Sequence, residues 1–198
     1  QGYLNRNPLS REYARTLADG YEALADRKGY QSIRGFRPNA SGFTIIGMSG
    51  VGKSTAVEKI LSLYPQCIEH SCYCGQLLMV TQLVWLKLDC PHDGSIKGLC
   101  FQFFDAVDRA TGTDYFPRYT KARYTVDVLM VLMTQLVNLY QIGILIIDEI
   151  QHLSLAKGGG SEKMLNFFVT LVNTIGIPVV MIGTTKAMSI LQSEFRQA

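Results

Sequence analysis

Short runs of consecutive aliphatic residues alternate along the chain with segments in which apolar residues recur every three or four positions. The aliphatic runs predict buried strands over 43–46, 84–88, 144–147 and 179–182. The helical spacing predicts helices over 9–28, 53–64, 95–110, 125–139 and 161–174. Because continuous apolar strands between helices are typical of a parallel sheet covered on both faces, the pattern predicts an α/β fold.

The same pattern divides the chain into an N-terminal helical extension, residues 1–40, and an α/β core, residues 41–198. Within the core, residues 66–88 are expected to be extended, with a hairpin turn near 73–75. No apolar run approaches the roughly 20 residues of a membrane-spanning helix, and the N-terminus lacks the pattern of a secretion signal, so we expect a cytoplasmic location. The last predicted helix, 187–198, has no capping residue at its end, which indicates a fragment of a longer protein.

Composition adds two constraints. The chain has 198 residues of which 47% are hydrophobic, enough for a continuous core, and its five cysteines are an odd number that favours reduced thiols over a disulfide framework. The net charge of +3 is too small by itself to indicate a nucleic-acid partner. The basic residues are unevenly placed, however, because residues 1–37 and residues 109–124 each carry an excess of three positive charges.

A glycine-rich loop lies between the first predicted strand of the core and the helix that follows it. Its sequence fits G-x-x-x-x-G-K-[ST] at every fixed position: Gly47, Met48, Ser49, Gly50, Val51, Gly52, Lys53, Ser54. In this motif the backbone N–H groups and the helix N-terminus face phosphates, the Lys53 ammonium reaches the β- and γ-phosphates, and the Ser54 hydroxyl ligates Mg²⁺. The neighbouring Thr55 is expected to contact the α-phosphate.

Acidic and hydroxyl residues follow two other predicted strands. Asp148 and Glu149 end the strand over 144–147; Asp148 is expected to hold Mg²⁺ through water, and Glu149 to polarise the attacking water. Thr184 and Thr185 follow the strand over 179–182, where a hydroxyl can touch the γ-phosphate or the water. A helix N-cap remains an alternative role for these threonines.

Four segments carry a resemblance to a known family: PNASGFTIIGMSGVGKST, VWLKLDCPHDGSIKGLC, LIIDEIQHL and VVMIGTTKA. Their order resembles that of AAA+ ATPases. Their amino-acid sequences are similar to those of the TnsC/TniB transposition regulators, and the similarity covers residues 9–198. The resemblance implies a three-layer P-loop NTPase core that binds ATP and Mg²⁺ and hydrolyses ATP. The chain stops before the fifth core strand and the helical lid of that family. Arg196 is either a finger that reaches a neighbour's γ-phosphate or a solvated helix residue.

The resemblance also implies an activity and partners. It implies a protein that assembles as a ring or filament on double-stranded DNA, responds to a target-selection protein, and recruits and activates the transposase. A helicase-loader-like DNA-remodelling ATPase is the alternative. A small-molecule kinase would use the same loop, but the sequence shows neither its mobile lid with arginines nor a substrate-binding base.

Given that resemblance, the basic segment 109–124 becomes a candidate DNA surface. It interleaves cations with aromatic residues, a composition suited to phosphate contact without base reading. The residues expected to track the DNA backbone are Lys97, Thr120, Lys121 and Arg123. An ordinary solvated loop is the alternative interpretation of this segment.

Cysteine and histidine residues between 67 and 92 offer ligand types that zinc prefers: Cys67, His70, Cys72, Cys74, Cys90 and His92. Their C-x-C and C-x-H spacings are poorer than the usual pairs of cysteines separated by two residues. Buried cysteine is a common small core residue, so core packing is the favoured interpretation.

Overall fold

The computed structural model describes residues 42–73, 76–155, 166–167 and 176–188. Residues 69–80 belong to one compact unit of the chain, and the main sheet belongs to a second unit that comprises residues 39–68 and 81–198. Several predicted features lie outside the described residues: the N-terminal extension with its helix over 9–28, most of the helix over 161–174, and Arg196.

The described residues form six strands and four α-helices, and the strands of the main sheet occur near the four predicted aliphatic runs. They are β1 (Phe43–Ile46), α1 (Lys53–Leu61), β2 (Cys67–Tyr73), β3 (Gln76–Leu83), β4 (Leu86–Asp89), α2 (Ile96–Thr111), α3 (Tyr115–Lys121), α4 (Val126–Leu139), β5 (Leu145–Asp148) and β6 (Val179–Gly183). Two 3₁₀ helices, Ile150–Leu155 and Thr185–Ala187, follow β5 and β6. No helix among the described residues is long and apolar enough to cross a membrane.

Four strands form one parallel sheet in the order β1-β6-β5-β4, while β2 and β3 pair in a separate two-stranded sheet. The register places Asp89 opposite Asp148 and Ile46 opposite Gly183. All four strands of the parallel sheet therefore end at the same edge. The predicted α/β fold with a parallel sheet is confirmed.

Side chains of the central strands alternate between two hydrophobic clusters, one on each face of the sheet. Leu145 and Ile147 belong to a large cluster with the buried side chains of α2 and α4. Ile146 belongs to a small cluster with two residues of β6, against which Val57 and Leu61 of α1 pack. Because successive strand residues point to opposite faces, continuous aliphatic strands supply both clusters.

Helix ends agree with the capping residues in the sequence. Ser95 caps α2 by accepting a hydrogen bond from the Gly98 N–H at 3.1 Å, and Thr125 caps α4 through the Val128 N–H at 3.4 Å. Gly112 ends α2 with a φ of 73°, the left-handed conformation that glycine adopts without steric cost. In contrast, α1 ends at Leu61 and continues only as turns, so the predicted end at residue 64 is three residues too late.

Helix α3 is not among the helices that the sequence pattern predicts, since that pattern assigns no element to residues 115–121. Its first turn is held by the Asp108 carboxylate of α2, which accepts hydrogen bonds from the N–H groups of Tyr115 at 2.9 Å and Phe116 at 2.7 Å. Its aromatic face then packs on α2, where Tyr119 meets Phe104 with ring centroids 4.9 Å apart. The helix therefore depends on a capping carboxylate from another element, which local sequence patterns do not reveal.

Candidate nucleotide-binding site

A cleft opens at the carboxyl edge of the parallel sheet, between the glycine-rich loop and the ends of β5 and β6. Its lining is mostly polar: Ser49, Gly50, Gly52, Lys53, Ser54, Thr55, Asp148, Glu149, Gln151, Gly183 and Thr184. The three segments that the sequence singled out separately thus meet in one place. This is the position where ligands bind in open α/β sheets.

The glycine-rich loop has the backbone shape that its glycines permit. Gly50 and Gly52 have φ values of 78° and 89°, in the left-handed region that disfavours other residues. Gly52 occupies the N-cap of α1 and offers no side-chain cap, and the first turn of α1 contains no acidic residue. The N–H groups of this turn therefore have no anionic partner from their own helix, which leaves the positive end of the helix dipole facing the cleft.

The Lys53 ammonium closes the loop on itself. It donates hydrogen bonds to the carbonyl oxygens of Gly47 at 2.9 Å and Met48 at 2.8 Å. The Gly47 N–H in turn donates to the Gly183 carbonyl oxygen at 3.3 Å, which joins the loop to the end of β6. Lys53 is thus held within the loop, at the rim of the cleft.

Asp148 is a charged side chain with almost no solvent exposure, since only 3% of the residue is accessible. Its Oδ1 accepts a hydrogen bond from the Glu149 N–H at 2.8 Å, and its Oδ2 lies 3.5 Å from the Lys87 ammonium. A buried carboxylate without such partners would be strongly destabilising. These partners compensate the Asp148 carboxylate for the water that it loses at the floor of the cleft.

Lys87 was not identified from the sequence as a site residue. Burial lowers the pKa of its ammonium, but the hydrogen bond to Glu58 and the charges of Asp89 and Asp148 together outweigh burial and raise that pKa above its ordinary value. Lys87 is therefore a cation at neutral pH. An isolated lysine inside an aliphatic strand gives no signal of this role, because the three carboxylates come from separate parts of the sequence.

Glu149 adopts a φ of 59°, which is uncommon for a residue with a side chain and is found repeatedly at functional sites. Its carboxylate accepts a hydrogen bond from the Gln151 side-chain amide. The side-chain amide oxygen of Gln151 accepts another from the Thr184 N–H at 3.0 Å. Gln151 therefore connects the ends of β5 and β6, a role that its position in LIIDEIQHL did not indicate.

The structure distinguishes the two candidate threonines. Thr184 lies in the cleft, and its hydroxyl oxygen is buried with no hydrogen-bond partner among the described residues. It occupies the N-cap position of the 3₁₀ helix Thr185–Ala187 but makes no side-chain cap hydrogen bond. Thr185 is exposed, and it is absent from the residues that line the cleft. A buried hydroxyl without a partner is costly unless a ligand completes it, which makes Thr184 the better candidate.

The donor set of the cleft fits a magnesium–nucleotide complex. Ser54 contributes a hydroxyl and Asp148 a carboxylate, the oxygen ligands that Mg²⁺ prefers. Mg²⁺ at phosphate sites usually takes only one or two protein ligands and completes its shell with water and phosphate oxygens. Two protein oxygens beside a phosphate-binding loop are therefore sufficient.

Comparison with models of protein families shows which family this chain belongs to. The family model described as an AAA domain matches residues 37–191. The chain belongs to the AAA domain family. Its parallel sheet with helices is the fold expected of a P-loop ATPase, so the sequence expectation of an AAA+ ATPase core is confirmed at that level.

Two solved structures resemble this AAA domain at low sequence identity. It is similar to the Walker-type ATPase PABY2304 of Pyrococcus abyssi, with 14% identity, a TM-score of 0.45, and coverage of 91% of this chain and 47% of that one. It is also similar to the Aeropyrum pernix ORC1 protein in complex with DNA, with 19% identity, a TM-score of 0.43, and coverage of 90% and 40%. The AAA domain thus spans less than half of either chain. No match was found among curated proteins.

The four candidate DNA-binding residues of this AAA domain lie on or beside α2 and α3. Lys97 of α2 sits 5.6 Å from the Phe101 ring centroid, and Phe101 meets Phe116 of α3 edge to face. The Thr120 hydroxyl donates to the Phe116 carbonyl oxygen at 2.7 Å. The aromatic contact therefore brings Lys97 and α3 to the same part of the surface.

The basic segment 109–124 is less positive than its sequence suggests. Arg109 pairs with Asp105 at 3.0 Å, and Arg118 pairs with Asp114 at 2.9 Å. Lys121 and Arg123 are exposed and have no ion-pair partner among the described residues. The charge available to an external anion is therefore concentrated at the C-terminal end of α3.

The described cysteines are free thiols in different environments. Cys90 and Cys100 are buried, and burial raises the pKa of each thiol to about 12. Cys72 is exposed, while Cys74 lies outside the described residues. Among the described residues, no group of three or more potential ligands is arranged to hold a metal ion. Instead, Cys100 packs in the large cluster beneath α2.

Proposed function

We propose that this AAA domain binds ATP with Mg²⁺ in the cleft and hydrolyses it to ADP and phosphate. The observation that carries the proposal is the meeting of Lys53, Asp148, Glu149 and Thr184 around one polar cleft at the sheet edge. Each of these residues offers a chemical group that γ-phosphoryl transfer to water requires. Most of the rate acceleration in such reactions comes from positioning and charge stabilisation, so a preorganised cleft is the central requirement.

The residues of the loop bind the phosphates in this proposal. Backbone N–H groups from Met48 to Thr55, which include those of Ser49 and Val51, face the phosphate oxygens, while the Gly47 N–H stays bonded to the Gly183 carbonyl oxygen. The Lys53 ammonium exchanges two neutral carbonyl acceptors for anionic phosphate oxygens, which are stronger partners. Ser54 directly and Asp148 through water would hold Mg²⁺, which would supply positive charge beside the phosphates.

Glu149 and Thr184 act on the attacking water and on the γ-phosphate. The Glu149 carboxylate accepts a hydrogen bond from the water, whose oxygen attacks the γ-phosphorus while the bond to the β–γ bridging oxygen breaks. The unpartnered Thr184 hydroxyl donates to a γ-phosphate oxygen or to the water. Gln151 keeps the two groups in register through its hydrogen bonds to the Glu149 carboxylate and the Thr184 N–H.

The test compares variants of the purified chain in two assays, binding of a fluorescent ATP analogue and release of phosphate. If the chain releases no phosphate by itself, DNA is added to the second assay. Lys53→Ala removes nucleotide binding, whereas Glu149→Gln keeps binding and lowers turnover by about 100-fold or more. Thr184→Val lowers turnover, and Thr185→Val serves as the matched control with a much smaller effect. Normal hydrolysis by Glu149→Gln contradicts the assigned role, and equal effects of the two threonine variants contradict the choice of Thr184.

We further propose that the activity of this ATPase is regulation of DNA transposition, as in TnsC/TniB proteins. In this proposal ATP drives assembly of an oligomer, a ring or filament, on double-stranded DNA. The oligomer then recruits and activates the transposase in response to a target-selection protein, and hydrolysis controls assembly and target choice. The support is the resemblance of the four sequence segments and the free cations at Lys121 and Arg123 beside Lys97 and Thr120.

DNA affinity measured against salt concentration tests the proposed surface. Replacing both Lys121 and Arg123 by Gln removes up to two phosphate contacts. The negative slope of log affinity against log salt concentration is therefore expected to become less steep by about 1.8. Arg109→Gln with Arg118→Gln is the matched control, because aspartates already neutralise these arginines. Equal slopes for the two double variants contradict the surface. Filaments on duplex DNA with an ATP analogue favour the transposition regulator, whereas preference for single strands favours the helicase-loader-like alternative.

A further inference from the structure

One lysine outside the phosphate-binding loop lies next to the magnesium-binding carboxylate. Lys87, on β4, has a side chain that is only 20% exposed, and its ammonium contacts three carboxylates. The distances are 3.0 Å to Glu58 Oε1, 3.3 Å to Asp89 Oδ1 and 3.5 Å to Asp148 Oδ2. Neither the phosphate-binding motif nor the proposed reaction assigns it a role.

The contact fixes the orientation of Asp148. One carboxylate oxygen, Oδ1, accepts the Glu149 N–H at 2.8 Å, and the other, Oδ2, faces the Lys87 ammonium. Both oxygens of this buried side chain are thereby held by the protein. A divalent cation that approaches Asp148 consequently meets a carboxylate whose charge is already shared with a lysine.

Lys87 also links the sheet to the helix of the phosphate-binding loop. Glu58 lies in the second turn of α1, whereas Asp148 ends β5, so the ammonium joins α1 to the end of β5. Glu58 and Asp89 are exposed, with 56% and 68% of their side chains accessible, while the Asp148 side chain is only 4% exposed. Because solvent screens the exposed pairs, the interaction with Asp148 is the least screened of the three.

We propose that Lys87 is a positioning residue that holds Asp148 and sets the affinity of the nucleotide site for Mg²⁺. The ammonium competes with the divalent cation for the Asp148 carboxylate. Mg²⁺ therefore binds more weakly than it would if Lys87 carried no charge. This inference rests on the proposed ATPase function. It concerns the metal dependence of nucleotide binding, so it is measurable without turnover.

The experiment measures binding of a fluorescent, non-hydrolysable ATP analogue to the full chain, over a Mg²⁺ titration and in EDTA. Lys87→Met removes the charge and is expected to lower the half-saturating Mg²⁺ concentration at least threefold, with the affinity in EDTA changed less than twofold. Lys87→Arg keeps the charge and restores the parent value within twofold. Lys59→Met is the matched control on an exposed lysine of α1, and it leaves the Mg²⁺ titration unchanged.

A second variant gives a shift of opposite sign and keeps the test independent of folding defects in Lys87→Met. Glu58→Gln alters an exposed side chain and leaves the Lys87 charge to Asp89 and Asp148, so the half-saturating Mg²⁺ concentration is expected to rise at least twofold. An unchanged or raised value for Lys87→Met, or an unchanged or lowered value for Glu58→Gln, overturns the inference alone. A parent chain without any Mg²⁺-dependent nucleotide binding overturns the proposed function and the inference with it.

Discussion

The two faces of the parallel sheet differ in how firmly their helices are packed. On one face α2 buries six residues and α4 buries five, among them Phe103 and Phe104 with no solvent exposure. On the other face α1 has no buried residue, and only three strand residues are fully enclosed in the small cluster. Among the described residues, therefore, stability is concentrated on the face opposite the phosphate-binding helix.

This difference indicates a division of tasks between the faces. Among the described residues, burial of aromatic and aliphatic side chains against α2 and α4 supplies most of the hydrophobic stabilisation. Helix α1 is held by fewer apolar contacts and by the Lys87–Glu58 ion pair, and it begins at the loop that carries Lys53. Ligand-binding elements commonly belong to the less stable part of a protein, because they must adjust to the ligand.

The largest expected difference between two sites is in thiol reactivity. Burial raises the pKa of the Cys100 thiol to about 12, whereas Cys72 is exposed. At pH 8 the thiolate fraction of Cys100 is about 10⁻⁴, and the folded protein shields this thiol from reagent, so its alkylation is expected to be much slower than that of the exposed Cys72. Mass spectrometry that resolves the alkylation of each cysteine in the native protein measures both rates. Equal rates would show that the Cys100 thiol in α2 is as accessible to the reagent as the exposed Cys72 thiol.

The same shift predicts the sign of a pH effect on stability. Folding keeps the buried Cys90 and Cys100 thiols protonated up to a pKa of about 12, whereas the unfolded thiols ionise near pH 8.5. Their contribution to the free energy of unfolding is therefore complete below about pH 8.5 and decreases as the pH rises from there to about 12.

Core truncation compares the two faces in free energy. Phe103→Ala in α2 removes a fully buried ring that meets Phe104 edge to face, and it is expected to lower the free energy of unfolding by about 3–5 kcal/mol. Val57→Ala in α1 removes a partly buried side chain and is expected to cost about 1 kcal/mol or less. Urea unfolding measures both values. Similar costs would contradict the unequal packing of the faces.

Removal of the Asp108 carboxylate tests how α3 is held against α2, on the more extensively packed face of the sheet. Asp108→Ala eliminates the acceptor of the Tyr115 and Phe116 N–H groups and of the Thr113 hydroxyl, with an expected loss of about 2 kcal/mol in the free energy of unfolding. Asp105→Ala is the matched control on the same helix, because its ion pair with Arg109 is exposed. A cost of less than about 0.5 kcal/mol for Asp108→Ala would contradict the role of this carboxylate in holding α3.

The smallest expected effect concerns Gly183, at the end of β6. A β-carbon there would lie 2.5 Å from Ile150 Cγ1 and 3.3 Å from the Gln151 side-chain oxygen. Gly183→Ala must displace the 3₁₀ helix that carries Gln151, so turnover is expected to fall about tenfold, which corresponds to about 1.4 kcal/mol in the barrier. Steady-state phosphate release measures the effect, and full activity would show that the Gln151 bridge is dispensable.

The sequence predicts those parts of the molecule that depend on local patterns. Aliphatic runs identify the strands of the parallel sheet, the serine and threonine caps identify the starts of α2 and α4, and the glycine-rich motif identifies the loop with Lys53. The carboxyl ends of parallel strands share one edge, which explains why Asp148 could be assigned to the same site.

Features that depend on contacts between distant segments were not predictable in this way. Helix α3 needs Asp108 of another helix, Lys87 acquires its role from three separate carboxylates, and Gln151 acts by bridging two strand ends. The choice of Thr184 over Thr185 likewise depends on which hydroxyl is buried in the cleft, and two adjacent threonines look alike in a sequence.

Hydrogen exchange with and without an ATP analogue and Mg²⁺ tests the central claim most directly, that the nucleotide site belongs to the weakly packed face. With nucleotide the account predicts slower exchange in the phosphate-binding loop, in α1 and at residues 148–151. Little change is expected in α2 and α4, because their burial predicts slow exchange even without nucleotide. Lys53→Ala should abolish the nucleotide-induced protection. Protection confined to α2 and α4, or protection that persists in Lys53→Ala, would contradict the account.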